Sequence, residues 1–155
     1  MKFVNGDLLK SPERVIAHGC NAQGVMGSGV ALAIKNIHPQ AYLDYVRFIK
    51  SCRDNETDAL GKSVISYSND KIIINAITQE FFGRDGKQYV DYQAITRSLT
   101  RGIGVILHNG YNVKRIAIPT IGAGLGGGNW EVIKERLYDI ESLLEVEFII
   151  YSLET

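Results

Sequence analysis

Ile118-Pro119-Thr120-Ile121-Gly122-Ala123-Gly124-Leu125-Gly126-Gly127-Gly128-Asn129-Trp130 sets a strand end, a glycine-dominated turn and a helix start in direct succession. Upstream, Arg115-Ile116-Ala117-Ile118 reads as a strand. Downstream, Ile133, Leu137, Ile140 and Leu144 keep helical spacing from Trp130 to Leu144, with Asn129 placed to cap the start. The same order occurs near the beginning of the chain. Val15-Ile16-Ala17 runs through His18-Gly19-Cys20-Asn21 into Gly24-Val25-Met26-Gly27-Ser28-Gly29 and a helix over 28–36. Glycine lacks a Cβ, so both bends can present successive backbone N–H groups to an anion, and each following helix start adds unpaired N–H groups.

The rest of the sequence extends this pattern. Lys2-Phe3-Val4, Ser63 to Tyr67, Ile72 to Ile77 and Phe148 to Tyr151 are short β-branched or aromatic runs bounded by turn residues, which predict further strands. Ser68-Asn69-Asp70-Lys71 predicts an antiparallel hairpin between two of them. Helical spacing recurs over 40–52 after Pro39 and over 91–109, where Gly102 and Gly104 interrupt an apolar stripe. The order predicts an α/β fold, a three-layer α/β/α sandwich around a central mixed six-stranded sheet, in one domain over 1–155. The polar stretch 51–62 reads as a solvated connection.

Composition narrows the function. Seventeen Lys+Arg balance seventeen Asp+Glu, without the cationic excess that displaces counterions from nucleic acid, which argues against that partner. No apolar run reaches bilayer length, and the polar turn after Phe3-Val4 is unlike a signal peptide, so a soluble cytoplasmic protein without membrane partners is expected. Cys20 and Cys52 lack zinc-site spacing and are expected as reduced thiols; the scattered carboxylates, His38 and His108 suggest no metal. Oligomeric state is left open, a monomer being compatible with all of this.

Two glycine bends at one end of a sheet predict a diphosphate ligand outside the carboxyl ends of the strands, the alternative being that both bends are simply tight. Gly122 to Gly127 fits GxGxxG, yet only one strand follows it, so a dinucleotide βαβ unit is excluded; no P-loop pattern occurs. Asp7, at the end of the first strand, could accept from an adenine amine or form an Asx turn. His18 could be a general acid or base, or a hydrogen-bonded core residue. Asn21 could meet sugar hydroxyls or tie its own loop.

Together and in this order, Asn5-Gly6-Asp7-Leu8, the 18–31 segment and the 118–130 segment resemble a macrodomain, the ADP-ribose-binding fold, from Phe3 to about Leu153. His18-Gly19-Cys20-Asn21 and Thr78-Gln79-Glu80-Phe81-Phe82-Gly83 are most similar to the ADP-ribose 1″-phosphate phosphatase branch. The resemblance implies that Asp7 and Leu8 hold adenine and that Asn21 faces the distal ribose. It also implies that Gly27, Ser28, Gly29, Val30 and Ala31 wrap the diphosphate and that ribose together with Thr120, Ile121, Gly122, Ala123, Gly124, Leu125 and Gly126. A related branch removes ADP-ribose from protein or DNA with a lysine after the central strand's Ile-Thr and, in some members, an aspartate in the second bend; here Gln79 and Gly126 stand there. The implied activity is hydrolysis of ADP-ribose 1″-phosphate without a cofactor, for which His18 and Asn21 are the catalytic candidates; Asp85 or Asp91 could instead orient water, Asp91 being equally explained as the N-cap of its helix. The alternatives are an ADP-ribose reader without turnover, or a hydrolase of O-acetyl-ADP-ribose or protein-linked ADP-ribose.

Overall fold

The computed structural model describes residues 1–153, so the last two residues of the expected 1–155 domain lie outside the described residues. Six strands form one sheet: β1 (Lys2–Asn5), β2 (Val15–Asn21), β3 (Ser63–Ser68), β4 (Lys71–Gln79), β5 (Arg115–Pro119) and β6 (Glu147–Ser152). The order is β1-β6-β5-β2-β4-β3, with every neighbouring pair parallel except the β3–β4 hairpin. The helices are α1 (Gly29–Ile37), α2 (Pro39–Asp54), α3 (Tyr92–His108) and α4 (Trp130–Leu144), and a 3₁₀ turn at Leu8–Lys10 follows β1.

The near-continuous apolar runs are explained by a sheet covered on both faces. On β4, Ile72, Ile74 and Ala76 point to the core shared with Ile95, Leu99 and Ile103 of α3 and Ile133 and Leu137 of α4. The alternate residues Ile73 and Ile77 point the other way, toward Ile34 of α1 and Tyr45 and Ile49 of α2. This is the expected mixed six-stranded sandwich. Only the 51–62 connection differs in kind: α2 runs on to Asp54, and Cys52, Ala59 and Gly61 are buried, Gly61 N–H donating to the Ile77 carbonyl at 2.8 Å.

Gly102 has a packing reason. A Cβ there would lie 2.7 Å from Ile74 Cγ2, so its absence lets α3 approach β4, whereas a Cβ at Gly104 would meet nothing within 4 Å.

Candidate functional site

The carboxyl ends of β5, β2 and β4 lie side by side, and a cleft of about 670 Å³ opens above them. Both glycine bends reach it. Its walls include Asn21, Val25 and Gly27 to Ala31 from the first, and Thr120, Ile121, Gly122, Gly124, Leu125 and Gly126 from the second; Thr78, Gln79, Phe82, Gly83 and Arg84 close the β4 side. Of the residues expected to bind, Asp7, Leu8 and Ala123 do not line it. Asp7 Oδ1 accepts from Leu9 N–H at 3.0 Å and caps the 3₁₀ turn, while Leu8 is buried against Ile34 and Ile16.

Helix starts distinguish this end of the molecule. Asp91 and Asn129 cap α3 and α4 with their side chains, accepting from Ala94 and Glu131 N–H groups at 3.0 Å. Ser28, at the same position before α1, makes no such bond. The first internal bond of α1 in this turn runs from Leu32 N–H to the Ser28 carbonyl, so the amides of Gly29, Val30 and Ala31 have no partner among the described residues. In the second bend, Gly127 and Gly128 donate back to Gly124 and Gly122, but Gly124, Leu125 and Gly126 likewise have unpartnered N–H groups among the described residues. All six belong to residues that line the cleft or, in α1, its first turn. Two short rows of free donors beside a helix N-terminus have the donor pattern that suits an anion.

The first bend is held from below. Asn21 Nδ2 donates to the Val25 carbonyl at 2.8 Å, and its Oδ1 accepts from Gln23 N–H at 2.9 Å. Tyr45 is fully buried; its hydroxyl reaches the Asn21 carbonyl at 2.6 Å and accepts from Gly24 N–H at 3.0 Å. Burial pushes that phenol well above its usual pKa, so it stays protonated. Asn21 thus ties its own loop, and one amide hydrogen remains for a ligand.

His18 sits on the cleft floor, 1% exposed. Its Nε2 lies 2.7 Å from Asn75 Oδ1. Asn75 spends its Nδ2 on the Val64 carbonyl at 3.0 Å and Ser66 Oγ at 3.3 Å, so the histidine must carry its proton on Nε2. Burial lowers the His18 pKa to about 4, partly offset by the Asn75 bond. The ring is neutral near pH 7 and brings an acceptor, Nδ1, rather than a spare proton. Cys20, beside it at 3.7–3.9 Å, is also buried, and desolvation raises its thiol pKa far above ordinary values.

The connection from β4 to α3 braces the second bend. Tyr89 and Val90 N–H groups both donate to the Gly126 carbonyl, at 2.7 and 3.0 Å, and Asn129 N–H donates to the Tyr92 hydroxyl at 2.9 Å. A Cβ on Gly126 would lie 2.7 Å from the Gly122 carbonyl oxygen, which explains why a side chain is absent at that position. Among the described residues no carboxylate lines the cleft: Asp91 caps α3, and Asp85 accepts from the Tyr89 hydroxyl at 2.8 Å. Arg84, Asn75 and Tyr45 were not singled out from the sequence as site residues. Arg84 alone carried a local signal, as the cation following Phe81-Phe82-Gly83.

The family model described as "Macro domain" matches residues 17–137, which spans both bends and the strands below them. The chain is a macrodomain. This macrodomain is 31% identical, over 96% of its length, to the "DNA ADP-ribosyl glycohydrolase" of Mycobacterium tuberculosis, of which it spans 41%. It is 26% identical to the "ADP-ribose 1''-phosphate phosphatase" of Saccharomyces cerevisiae, covering 97% of each chain. Among solved structures, the macrodomain of Mycobacterium tuberculosis DarG superposes with a TM-score of 0.79 at 28% identity, over 99% of this chain and 97% of that one. Among the described residues no helix is long and apolar enough to cross a membrane, and no group of three or more His, Cys, Asp or Glu side chains is placed to hold a metal.

Proposed function

We propose that the cleft binds ADP-ribose and hydrolyses ADP-ribose 1″-phosphate to ADP-ribose and phosphate. The observation that carries the reading is the pair of unpartnered amide rows, Gly29 to Ala31 and Gly124 to Gly126, in the lining of one cleft. A diphosphate supplies acceptors to both. The proposed ligand runs from an adenine end toward Asp7, which follows β1 at one edge of the sheet, to a distal-ribose end toward the Phe82–Arg84 strap, which follows β4. Asp7 Oδ1 serves the local turn, leaving Oδ2 for an adenine amine, with Leu8 fixing the turn from the core.

Phosphomonoester hydrolysis suits this donor set. Its loose transition state calls for donors on the phosphoryl and leaving oxygens more than for a strong base. Backbone amides of Gly27 and Ser28, next to the Gly29 to Ala31 row that meets the diphosphate, provide the donors; His18 Nδ1 and the spare Asn21 amide hydrogen position water and the distal ribose. Glycoside cleavage calls for an ionised or acidic side chain at the anomeric carbon, and Gln79 and Gly126 offer none. The names of the mycobacterial relatives favour that second reading, removal of ADP-ribose from DNA, and an ADP-ribose reader without turnover is the third.

Calorimetry with ADP-ribose, run beside phosphate release from ADP-ribose 1″-phosphate and release of ADP-ribose from modified DNA and protein, separates them. Phosphate release that is lost in His18→Ala and Asn21→Ala supports the proposal. Binding without any phosphate release rejects it.

A further inference from the structure

Of the polar side chains that line the cleft, all but one are neutral. Arg84 is the sole cationic side chain among the lining residues, and no lining residue is acidic. It takes part in no ion pair or hydrogen bond among the described residues. Its neighbour Asp85, the nearest carboxylate in sequence, is already engaged: both carboxylate oxygens accept from the Tyr89 hydroxyl, at 2.8 and 2.9 Å, and Lys87 lies 3.7 Å away. Those contacts hold the Asp85 carboxyl below its usual pKa. Arg84 is left facing a cleft with an uncompensated charge.

The backbone that carries Arg84 is held in place, while its own side chain is exposed. Tyr89 packs where a Cβ of Gly83 would stand, and its N–H donates to the Gly126 carbonyl. On the other side Gln23 Nε2 donates to the Glu80 carbonyl at 3.1 Å, and Ala22 N–H to the Gln79 carbonyl at 2.9 Å. The strap from Glu80 to Arg84 is therefore tied to both glycine bends. It leaves β4, the strand beyond β2 when counted from the β1 edge where Asp7 sits. A ligand with adenine toward Asp7 and its diphosphate over the free amides brings its far sugar toward Arg84.

Resting on the functional reading above, we propose that Arg84 is the specificity-determining residue of the cleft, receiving a second anionic group, a phosphate on the distal ribose, and so separating phosphorylated ADP-ribose from ADP-ribose itself. A guanidinium matches a phosphate with paired N–H donors, and such charge-assisted bonds are the strong ones. A reader of plain ADP-ribose has no use for an unpaired cation at this end.

The test is calorimetric titration with ADP-ribose and with its 1″-phosphonate analogue, which keeps the dianion and resists hydrolysis, on wild type, Arg84→Gln and Arg84→Lys. Wild type should prefer the phosphonate by roughly tenfold or more, the size expected for a charge-assisted contact. Arg84→Gln should bring the ratio of the two affinities to about one, and Arg84→Lys should keep part of it by retaining the charge without the fork. A preference that survives intact in Arg84→Gln overturns the role of Arg84. Equal wild-type affinities overturn it as well, while leaving ADP-ribose binding standing. Wild type that binds neither ligand removes the ADP-ribose reading and this proposal together.

Discussion

His18 and Asn75, 57 residues apart, meet side chain to side chain at 2.7 Å between adjacent parallel strands, and this contact decides what the histidine can do. The Asn75 amide is oriented by the Val64 carbonyl on β3, so the proton on His18 is held at Nε2 by the sheet itself. A ring so fixed and so buried is an acceptor at its other nitrogen.

Its titration should be visible in stability. Between pH 6.5, where an unfolded histidine takes up a proton, and about pH 4, where buried His18 does, the unfolded state binds more protons, so stability falls as pH falls through this window. The shift corresponds to about 3 kcal/mol. His18→Gln can still donate to Asn75 and does not titrate; its urea-unfolding free energy should decline less than that of wild type from pH 7 to pH 4. Equal declines would refute a depressed His18 pKa.

The two glycines of α3 should respond in opposite senses to alanine. Gly104→Ala gains helix propensity with nothing nearby to resist the methyl, and should stabilise by roughly 1 kcal/mol. Gly102→Ala drives a methyl against Ile74 and Ser63 and should destabilise by about 1–3 kcal/mol despite the same propensity gain. Chemical denaturation of the two variants checks the contrast.

Tyr45→Phe removes the hydroxyl that joins Asn21 and Gly24. Leaving those buried groups unmatched should cost about 1–3 kcal/mol in unfolding free energy. Because the first bend loses its anchor, ADP-ribose affinity should fall as well. A variant that unfolds earlier yet binds as wild type would show that the bend keeps its shape without Tyr45.

Asp7→Asn separates the local from the ligand role of that residue. The amide oxygen can still accept from Leu9 N–H, but the second carboxylate oxygen is replaced by a donor. Affinity for ADP-ribose should drop roughly tenfold, the cost of one hydrogen bond to a charged acceptor, while affinity for ribose 5-phosphate, which has no adenine, stays within about twofold. Parallel losses for both ligands would leave Asp7 a structural cap.

Much of the architecture could be read from local pattern. The β-branched runs, the hairpin at Ser68 to Lys71 and the apolar stripes of α3 and α4 are features of neighbours along the chain, where periodicity and turn chemistry speak directly. Both glycine bends were legible for the same reason. Their placement on one cleft depends on β5 lying beside β2, a pairing between Val15-Ile16 and Ile116-Ala117 about a hundred positions away, which no local window contains. The same holds for His18 with Asn75 and for Tyr45 under Asn21. Arg84 is legible only in part: it follows Phe81-Phe82-Gly83 in a connection without periodicity, and its lack of a counter-ion in Asp85, which Tyr89 engages, is a fact of side-chain geometry. Asp7 and Leu8 carry a different lesson: the structure gives them a local turn and a core contact, and the ligand role that the motif implies for them is the proposal that Asp7→Asn tests.

Ser28 leaves α1 without the side-chain lid that α3 and α4 possess. A bound phosphate would complete that missing piece, becoming in effect a component of the helix. Amide hydrogens of the opening turn of α1 should then exchange freely with solvent in the empty protein and slow sharply on loading, while those of α3 and α4 barely change. Occupancy and order at this corner would then be one equilibrium, the guest supplying the cap that the chain omits.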